Sequence, residues 1–284
     1  MTEHGPIRTG SLIERAAEIY DFASFRQAVK PAPDATADRP QPHIASAGVQ
    51  AIDRDLLRMS GFIVPGEAVS PIAEEFRIAK RQLLIGGMAS ARDRVILIGS
   101  ARKGEGKSFC AVNLALSLAS ERDLEVLLVD GDVAKPSIFS MLGVAGGPGL
   151  MDALADPGIA IDDCIVETDI AGLSLLPAGR ATHNDTELLA SARTASLIAA
   201  LAEKNLRRLV ILDSPPLLDA SPASALALHA GQALLVVRAD VTSEADLRAA
   251  VAMLDPCGEV KLLLNGVSRM VSGQRFGDYY GEVP

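Results

Sequence analysis

The sequence predicts a doubly wound α/β fold, a mostly parallel sheet with helices on both faces. Two observations carry this reading. From about residue 70, short apolar runs recur between helical stretches: "RVILIGS", "EVLLVDGD", "LSLLPAG", "RLVILDSPP", "ALLVVRAD" and "KLLLNG". They are apolar at successive positions, as strands must be when helices cover both faces of a parallel sheet. The first run also leads through a glycine-containing turn into a helix, "ILIGSARKGEGKSFCAVNLALSLA", and ligands in such folds bind at the carboxyl ends of the strands.

Taken in chain order, "SLIERAAEIYDFASFRQAV" has apolar residues at helical spacing and opens with Ser11 three residues before Glu14, a capping-box arrangement. A helix is expected over residues 11–29. The stretch "KPAPDATADRPQPHIASAG", with prolines at 31, 33, 40 and 42, reads as a linker with a boundary near residue 48. The expected organisation is an N-terminal helical segment (1–30), a Pro-rich linker with a short docking segment (31–69), a nucleotide-binding domain (70–267) and a flexible tail (268–284). That tail, "SRMVSGQRFGDYYGEVP", carries two of the three tyrosines in the chain, Tyr279 and Tyr280.

The bulk numbers exclude several classes. A chain of 284 residues with a formal charge of −9 has no global positive field for nucleic acid. Cys110, Cys164 and Cys257 are odd in number and far apart, which fits buried thiols in a reducing compartment. No apolar run approaches the roughly 20 residues of a membrane-spanning helix, and the start lacks a signal-peptide core, so a cytoplasmic location is expected.

The glycine turn reads as a nucleotide phosphate loop. Gly104 and Gly106 let backbone amides approach phosphate oxygens, Lys107 neutralises β/γ charge, and the Ser108 hydroxyl can ligate Mg²⁺ at the helix N-terminus. Ala101 departs from the strict pattern, which asks for glycine there. A dinucleotide fingerprint is the rival, because Asp130 ends the next strand about 20 residues on, but Phe109 stands where the third glycine belongs. Asp130, Asp132 and Asp213 lie at strand ends. Alone, each is a candidate helix cap; together beside a phosphate loop they point to Mg²⁺-nucleotide work.

"ARKGEGKS", "VLLVDGDVAKPS" and "LVILDSPP" together resemble the Walker A, A′ and B motifs of the bacterial tyrosine autokinases. The flanking "SLIERA", "GFIVP", "IAEEFRIAKRQLL", "TELLAS" and "LLLNGVSR" are most similar to the cytoplasmic autokinases encoded with exopolysaccharide and exosortase systems. The resemblance implies that Arg102, Lys103, Gly104, Glu105, Gly106, Lys107, Ser108 and Phe109 hold ATP, with Asn265 near the adenine. It assigns Lys107, Asp130 and Asp132 to catalysis, Asp130 helping to activate the acceptor phenol, and Ser108, Asp132 and Asp213 to the metal. Tyr279 and Tyr280 become the phosphoacceptors. Glu74, Arg77 and Lys80 match a ring-forming E-x-x-R-x-x-R helix, with lysine in the last place; the plain alternative is a solvated face with an internal Glu-Arg pair. Asn265 before Gly266 equally fits a turn, and His183 reads as a solvated loop residue.

The implied activity is ATP-Mg²⁺-dependent tyrosine autophosphorylation, in trans, controlling exopolysaccharide synthesis and export. The implied partners are copies of the chain itself and a membrane-bound polysaccharide co-polymerase that recruits it to the membrane. The alternative is a nucleotide-switched ATPase or scaffold, resembling the partition and cell-division-site ATPases. Those relatives carry a signature lysine five residues before the Walker lysine, where this chain has Arg102.

Overall fold

The computed structural model describes residues 48–85 and 87–267. The expected helix over 11–29, the linker up to residue 47 and the tail with Tyr279 and Tyr280 lie outside the described residues. In order, the elements are α1 (Arg54–Met59), α2 (Pro71–Ile85), β1 (Val95–Ser100), α3 (Lys107–Ala119), β2 (Glu125–Asp130), α4 (Ile138–Leu142) and α5 (Leu150–Ala155). There follow β3 (Val166–Glu167), β4 (Leu173–Leu176), α6 (Asp185–Leu189), α7 (Ala192–Glu203), β5 (Arg208–Asp213), α8 (Ser221–Ala227), β6 (Gln232–Arg238), α9 (Glu244–Met253) and β7 (Glu259–Asn265). The strands form a seven-stranded sheet in the order β3-β4-β2-β5-β1-β6-β7. Only the β3–β4 pairing is antiparallel.

The continuous apolar runs are explained by the two cores they serve. Successive side chains on a strand point to opposite faces. Val95, Leu97, Leu127, Val129, Val210 and Leu212 therefore enter one core, with Leu150 of α5, Ile198 and Leu201 of α7 and Leu226 of α8. Ile96, Ile98, Val126, Leu128, Leu209 and Ile211 enter the other, with Leu114 and Leu118 of α3 and Phe76 and Leu83 of α2. Helix α3 is apolar nearly all round because it is enclosed between the sheet and α2. The doubly wound expectation matches this arrangement.

Residues 50–69, expected as a short docking segment after the linker, pack on the domain: Gln50 donates its amide to Glu167 O at 2.9 Å, and Ile52, Leu57 and Phe62 are buried in the second core. Asp53 caps α1, its Oδ1 accepting from the amides of Asp55 and Leu56 at 3.0 and 2.9 Å. This stretch holds enough large apolar residues to bury, and the proline-rich run before it does not.

Lys80 does not share an outer face with Glu74 and Arg77. Three-residue steps fall short of a turn, so six residues leave Lys80 about 120° from Glu74 around the helix. It lies instead on the inward stripe with Phe76 and Leu83, and is 8% exposed. Its ammonium donates to Ser117 O at 2.9 Å and pairs with Glu121 at 2.6 Å, which satisfies the carbonyl end of α3. Glu74 and Arg77 pair with each other at 3.0 Å on the half-exposed side. Lys80→Ala should cost about 1–3 kcal/mol in urea unfolding, because it removes a buried charge-assisted hydrogen bond to Ser117 O, which keeps only Ser120 Oγ as donor, and takes away the partner of Glu121; an outward-facing lysine would move stability by less than about 0.5 kcal/mol.

Candidate nucleotide site

The phosphate loop spans the gap between the end of β1 and the start of α3. Its glycines take backbone angles that side chains disfavour: φ is +80° at Gly104 and +98° at Gly106. A Cβ on Gly106 would stand 2.1 Å from Asn265 Nδ2, so this glycine is also required by packing. Ala101 is tolerated because, among the described residues, Asp240 is the only non-glycine residue with positive φ; Ala101 needs no glycine conformation.

The loop is braced from its outer side by distant side chains. Asn265 Nδ2 donates to Glu105 O at 2.9 Å, and Arg238 Nη1 to Gly104 O at 2.7 Å. The buried Glu105 carboxylate accepts from Arg102 N at 2.9 Å and from Thr242 Oγ1 at 2.5 Å. Asp219 accepts from Lys103 N at 3.1 Å and, with Asp246, grips the Arg102 guanidinium at 2.8 Å each. Among the described residues, the amides of Gly104, Glu105 and Gly106 have no protein acceptor. Gly106 caps α3 with no side-chain cap. A preformed ring of donors at a helix N-terminus is a site for phosphate.

Opposite the loop stand the three carboxylates. Asp130 and Asp213 are register partners at the ends of β2 and β5, and Asp213 also pairs with Ile98 of β1. Neighbouring strands lie about 4.8 Å apart, which sets the two acids side by side. Gly131 lets these strand ends close: its amide donates to Asp213 O at 2.8 Å, and a Cβ there would lie 2.6 Å from that same oxygen. Asp130 Oδ2 accepts from Ser137 N at 2.8 Å and Ile138 N at 3.0 Å, while its buried Oδ1 has no partner. Burial pushes its pKa above the usual carboxylate range, against those two bonds. Asp132 pairs with Lys107 Nζ at 2.9 Å. Both oxygens of the fully buried Asp213 lack a hydrogen-bond partner, and burial raises its pKa to about 7 despite the nearby Lys107 charge.

Unpartnered oxygens on Asp213, beside the Ser108 hydroxyl and a Lys107 already held by Asp132, fit a hard divalent cation. Gly104, Gly106, Lys107, Ser108, Asp130, Asp132 and Asp213 thus converge. Several expected residues are used differently. The Arg102 side chain is turned to Asp219 and Asp246, the Glu105 side chain is an internal brace, and the Phe109 ring packs on Phe62 with centroids 5.0 Å apart. Only their backbone can face a phosphate. Lys103 is exposed, Asn265 serves the loop, and His183 is exposed as expected. Asp219, Arg238, Thr242 and Asp246 escaped the sequence reading because they act from more than 100 positions away.

The Asp213 pKa sets a direction for stability. Its folded value of about 7 exceeds the ordinary 3.8, so the folded chain keeps a proton that the unfolded chain releases. The nucleotide-free protein should lose on the order of 4 kcal/mol between pH 4 and pH 7 from this group alone. Thermal melts of native protein against Asp213→Asn check this: the substituted chain should lack that slope.

A profile of the ParA family, described as NUBPL iron-transfer P-loop NTPase, matches residues 91–258. The chain is 33% identical over 195 residues to the tyrosine-protein kinase wzc of Salmonella typhimurium, covering 68% of this chain and 27% of that protein. It thus spans about a quarter of that relative's length. It is 26% identical to the putative tyrosine-protein kinase CapB of Staphylococcus aureus, over 79% of this chain and 96% of the relative. The crystal structure of the chimerical protein CapA2B2 superposes with a TM-score of 0.63 at 26% identity, covering 75% of this chain and 92% of that one. With its braced phosphate loop and its acids at the ends of β2 and β5, the chain belongs to the ParA family of P-loop NTPases, where its relatives include bacterial tyrosine-protein kinases.

Proposed function

We propose that the chain is an ATP- and Mg²⁺-dependent protein-tyrosine kinase that phosphorylates Tyr279 and Tyr280 of its own C-terminal segment, in trans, and so regulates exopolysaccharide synthesis and export. The observation that carries this reading is the convergence of Lys107, Ser108, Asp130, Asp132 and Asp213 around the phosphate loop, in a chain related to tyrosine-protein kinases. The Arg102 pairing supports it over a dimer-switched ATPase, since the residue at the signature-lysine position is held by Asp219 and Asp246 of its own subunit.

In this reading the free amides of Gly104 to Gly106 and the Lys107 ammonium cradle the β- and γ-phosphates, Lys107 exchanging its Asp132 partner for them. Ser108 and Asp213 would hold Mg²⁺, which would supply positive charge beside the phosphates. The tyrosine oxygen forms a bond to the γ-phosphorus, the bond to the β,γ-bridging oxygen breaks, and ADP leaves. A phenol of pKa near 10 must lose its proton along the way. Asp130 is suited to take it: its Oδ1 is unpartnered and burial raises its basicity.

Glu74 and Arg77 are the remaining candidates for contact between copies, on the half-exposed side of α2. Among the described residues no helix is long and apolar enough to cross a membrane. Recruitment from the cytoplasm by a membrane-bound polysaccharide co-polymerase is therefore part of the proposal.

The test is incubation of the chain with Mg-ATP, alone and with the cytoplasmic end of that co-polymerase, followed by phosphosite mapping. Phosphate should appear on Tyr279 or Tyr280, and Lys107→Ala should slow its appearance by about 10²-fold or more. A tail without phosphate in both conditions, or labelled equally in the lysine variant, overturns the kinase reading.

A further inference from the structure

The two edges of the sheet are finished differently. At the β3 edge the chain covers itself: Gln50 N donates to Glu167 O at 2.9 Å, and Gln50 O accepts from Asp169 N at 3.0 Å. At the other edge, among the described residues, β7 pairs only with β6. Alternate residues of a strand turn their backbone groups to the same side. Glu259 N donates to Gly231 O and Asn265 O accepts from Ala239 N, so the odd-numbered residues of β7 face β6. The N–H and C=O groups of Val260, Leu262 and Leu264 therefore point off the sheet.

Those residues also carry apolar side chains on one face. Leu262 is 57% and Leu264 59% exposed, so the helical layer on that face does not reach over the strand and leaves room for another. Exposed edges are usually blunted by a proline, a bulge or a charge on the open row. β7 has no proline, keeps unbroken register with β6, and turns its one lysine elsewhere: Lys261 donates to Gln232 Oε1 at 3.4 Å and pairs with Glu259.

We infer that β7 is the contact surface for a second copy of this chain, the two strands pairing antiparallel about a two-fold axis through Leu262. An identical strand presents its donors and acceptors at the same spacing, so this edge is its own complement. With Leu262 opposite the partner's Leu262, Val260 meets the partner's Leu264 and Leu264 the partner's Val260, which gives three apolar cross-strand pairs on one face. Lys261 then lies opposite the partner's Leu263 and Glu259 opposite the partner's Asn265, so no like charges meet. An axis through Lys261 would set that lysine against its own copy, and one through Leu263 would set Val260 against Gly266. The pairing closes after two copies and does not use Glu74 or Arg77 of α2. An antiparallel joint points the carboxyl ends of the two sheets, with their phosphate loops, in opposite directions. Both nucleotide sites thus stay open to other copies.

The test is sedimentation velocity of the full chain without nucleotide, with cysteine cross-linking to read the register. The native chain should form dimers at about 10–100 µM, and Leu262→Lys, which puts a charge on the open row, should weaken association about tenfold or more. Cys110, Cys164 and Cys257 are buried, so a thiol placed on the open row is the accessible one. Leu262→Cys should give a disulfide-linked dimer under mild oxidation, because the paired Cα atoms lie about 5.5 Å apart. Leu264→Cys alone should not, since its two copies stand about 14 Å apart, whereas Val260→Cys/Leu264→Cys should. Thermal melts check that each variant folds, and Leu264→Lys replaces Leu262→Lys if that chain does not. A native chain that stays monomeric up to about 100 µM overturns the proposal, as it would if another segment of the same chain covered the edge. So does a dimer that the lysine variant leaves intact, which assigns association to another surface, or a disulfide that forms as readily in Leu264→Cys as in Leu262→Cys. Because no nucleotide is present, failure here is independent of any failure of the kinase reading.

Discussion

The burial of Asp213 is the constraint around which the site is built. Its carboxylate ends a strand that is apolar on both sides, has no hydrogen-bond partner, and stands beside Asp130. Removing a charged carboxylate from water is costly unless a counter-charge is supplied, and here one ammonium, that of Lys107, is paired with Asp132 and shared in its field by Asp213. Burial pushes the Asp213 pKa up to about 7, so the folded chain holds a proton there more readily than the unfolded one. A cation and the charged groups it accompanies would complete the balance, so the same burial that is costly without a counter-charge gives the site affinity for one. The sheet tolerates the arrangement because the two cores packed on its faces hold β1, β2 and β5 in register.

Preorganisation of the phosphate loop follows the same logic. A loop rich in positive φ would be mobile if its outer polar groups were left to water. Side chains from the ends of β6 and β7 and from α9 take those groups instead, leaving the inner amides without acceptors. Donors fixed before a ligand arrives need little reorganisation on binding. The exposed Arg102 pairs contribute little as isolated ion pairs; their value is geometric, since Asp219 also takes the Lys103 amide.

Helix α2 links this site to the rest of the surface. Its inward stripe closes over α3, with Lys80 capping that helix's last carbonyls, while Glu74 and Arg77 remain on the half-exposed side. A single helix thus supports the phosphate-loop helix, bounds a cavity at the end of β7 and offers a charged pair to neighbours.

The sequence alone determined the doubly wound sheet, since uninterrupted apolar runs are stable only between two helical layers, and the placing of Gly106, Lys107, Ser108, Asp130, Asp132 and Asp213 at the loop and the strand ends. These signals are contiguous or lie at strand ends, where periodicity locates them. Tertiary structure decided what local pattern cannot encode. The tasks of Arg102, Glu105, Phe109 and Asn265 depend on partners far along the chain. Lys80 was assigned outward by spacing, but helix rotation and the position of α3 turned it inward. Residues 50–69 joined the core because Ile52, Leu57 and Phe62 found apolar neighbours that no window of sequence displays. Side-chain function is set by the three-dimensional neighbourhood, and that neighbourhood exists only once the strands have been ordered across the sheet.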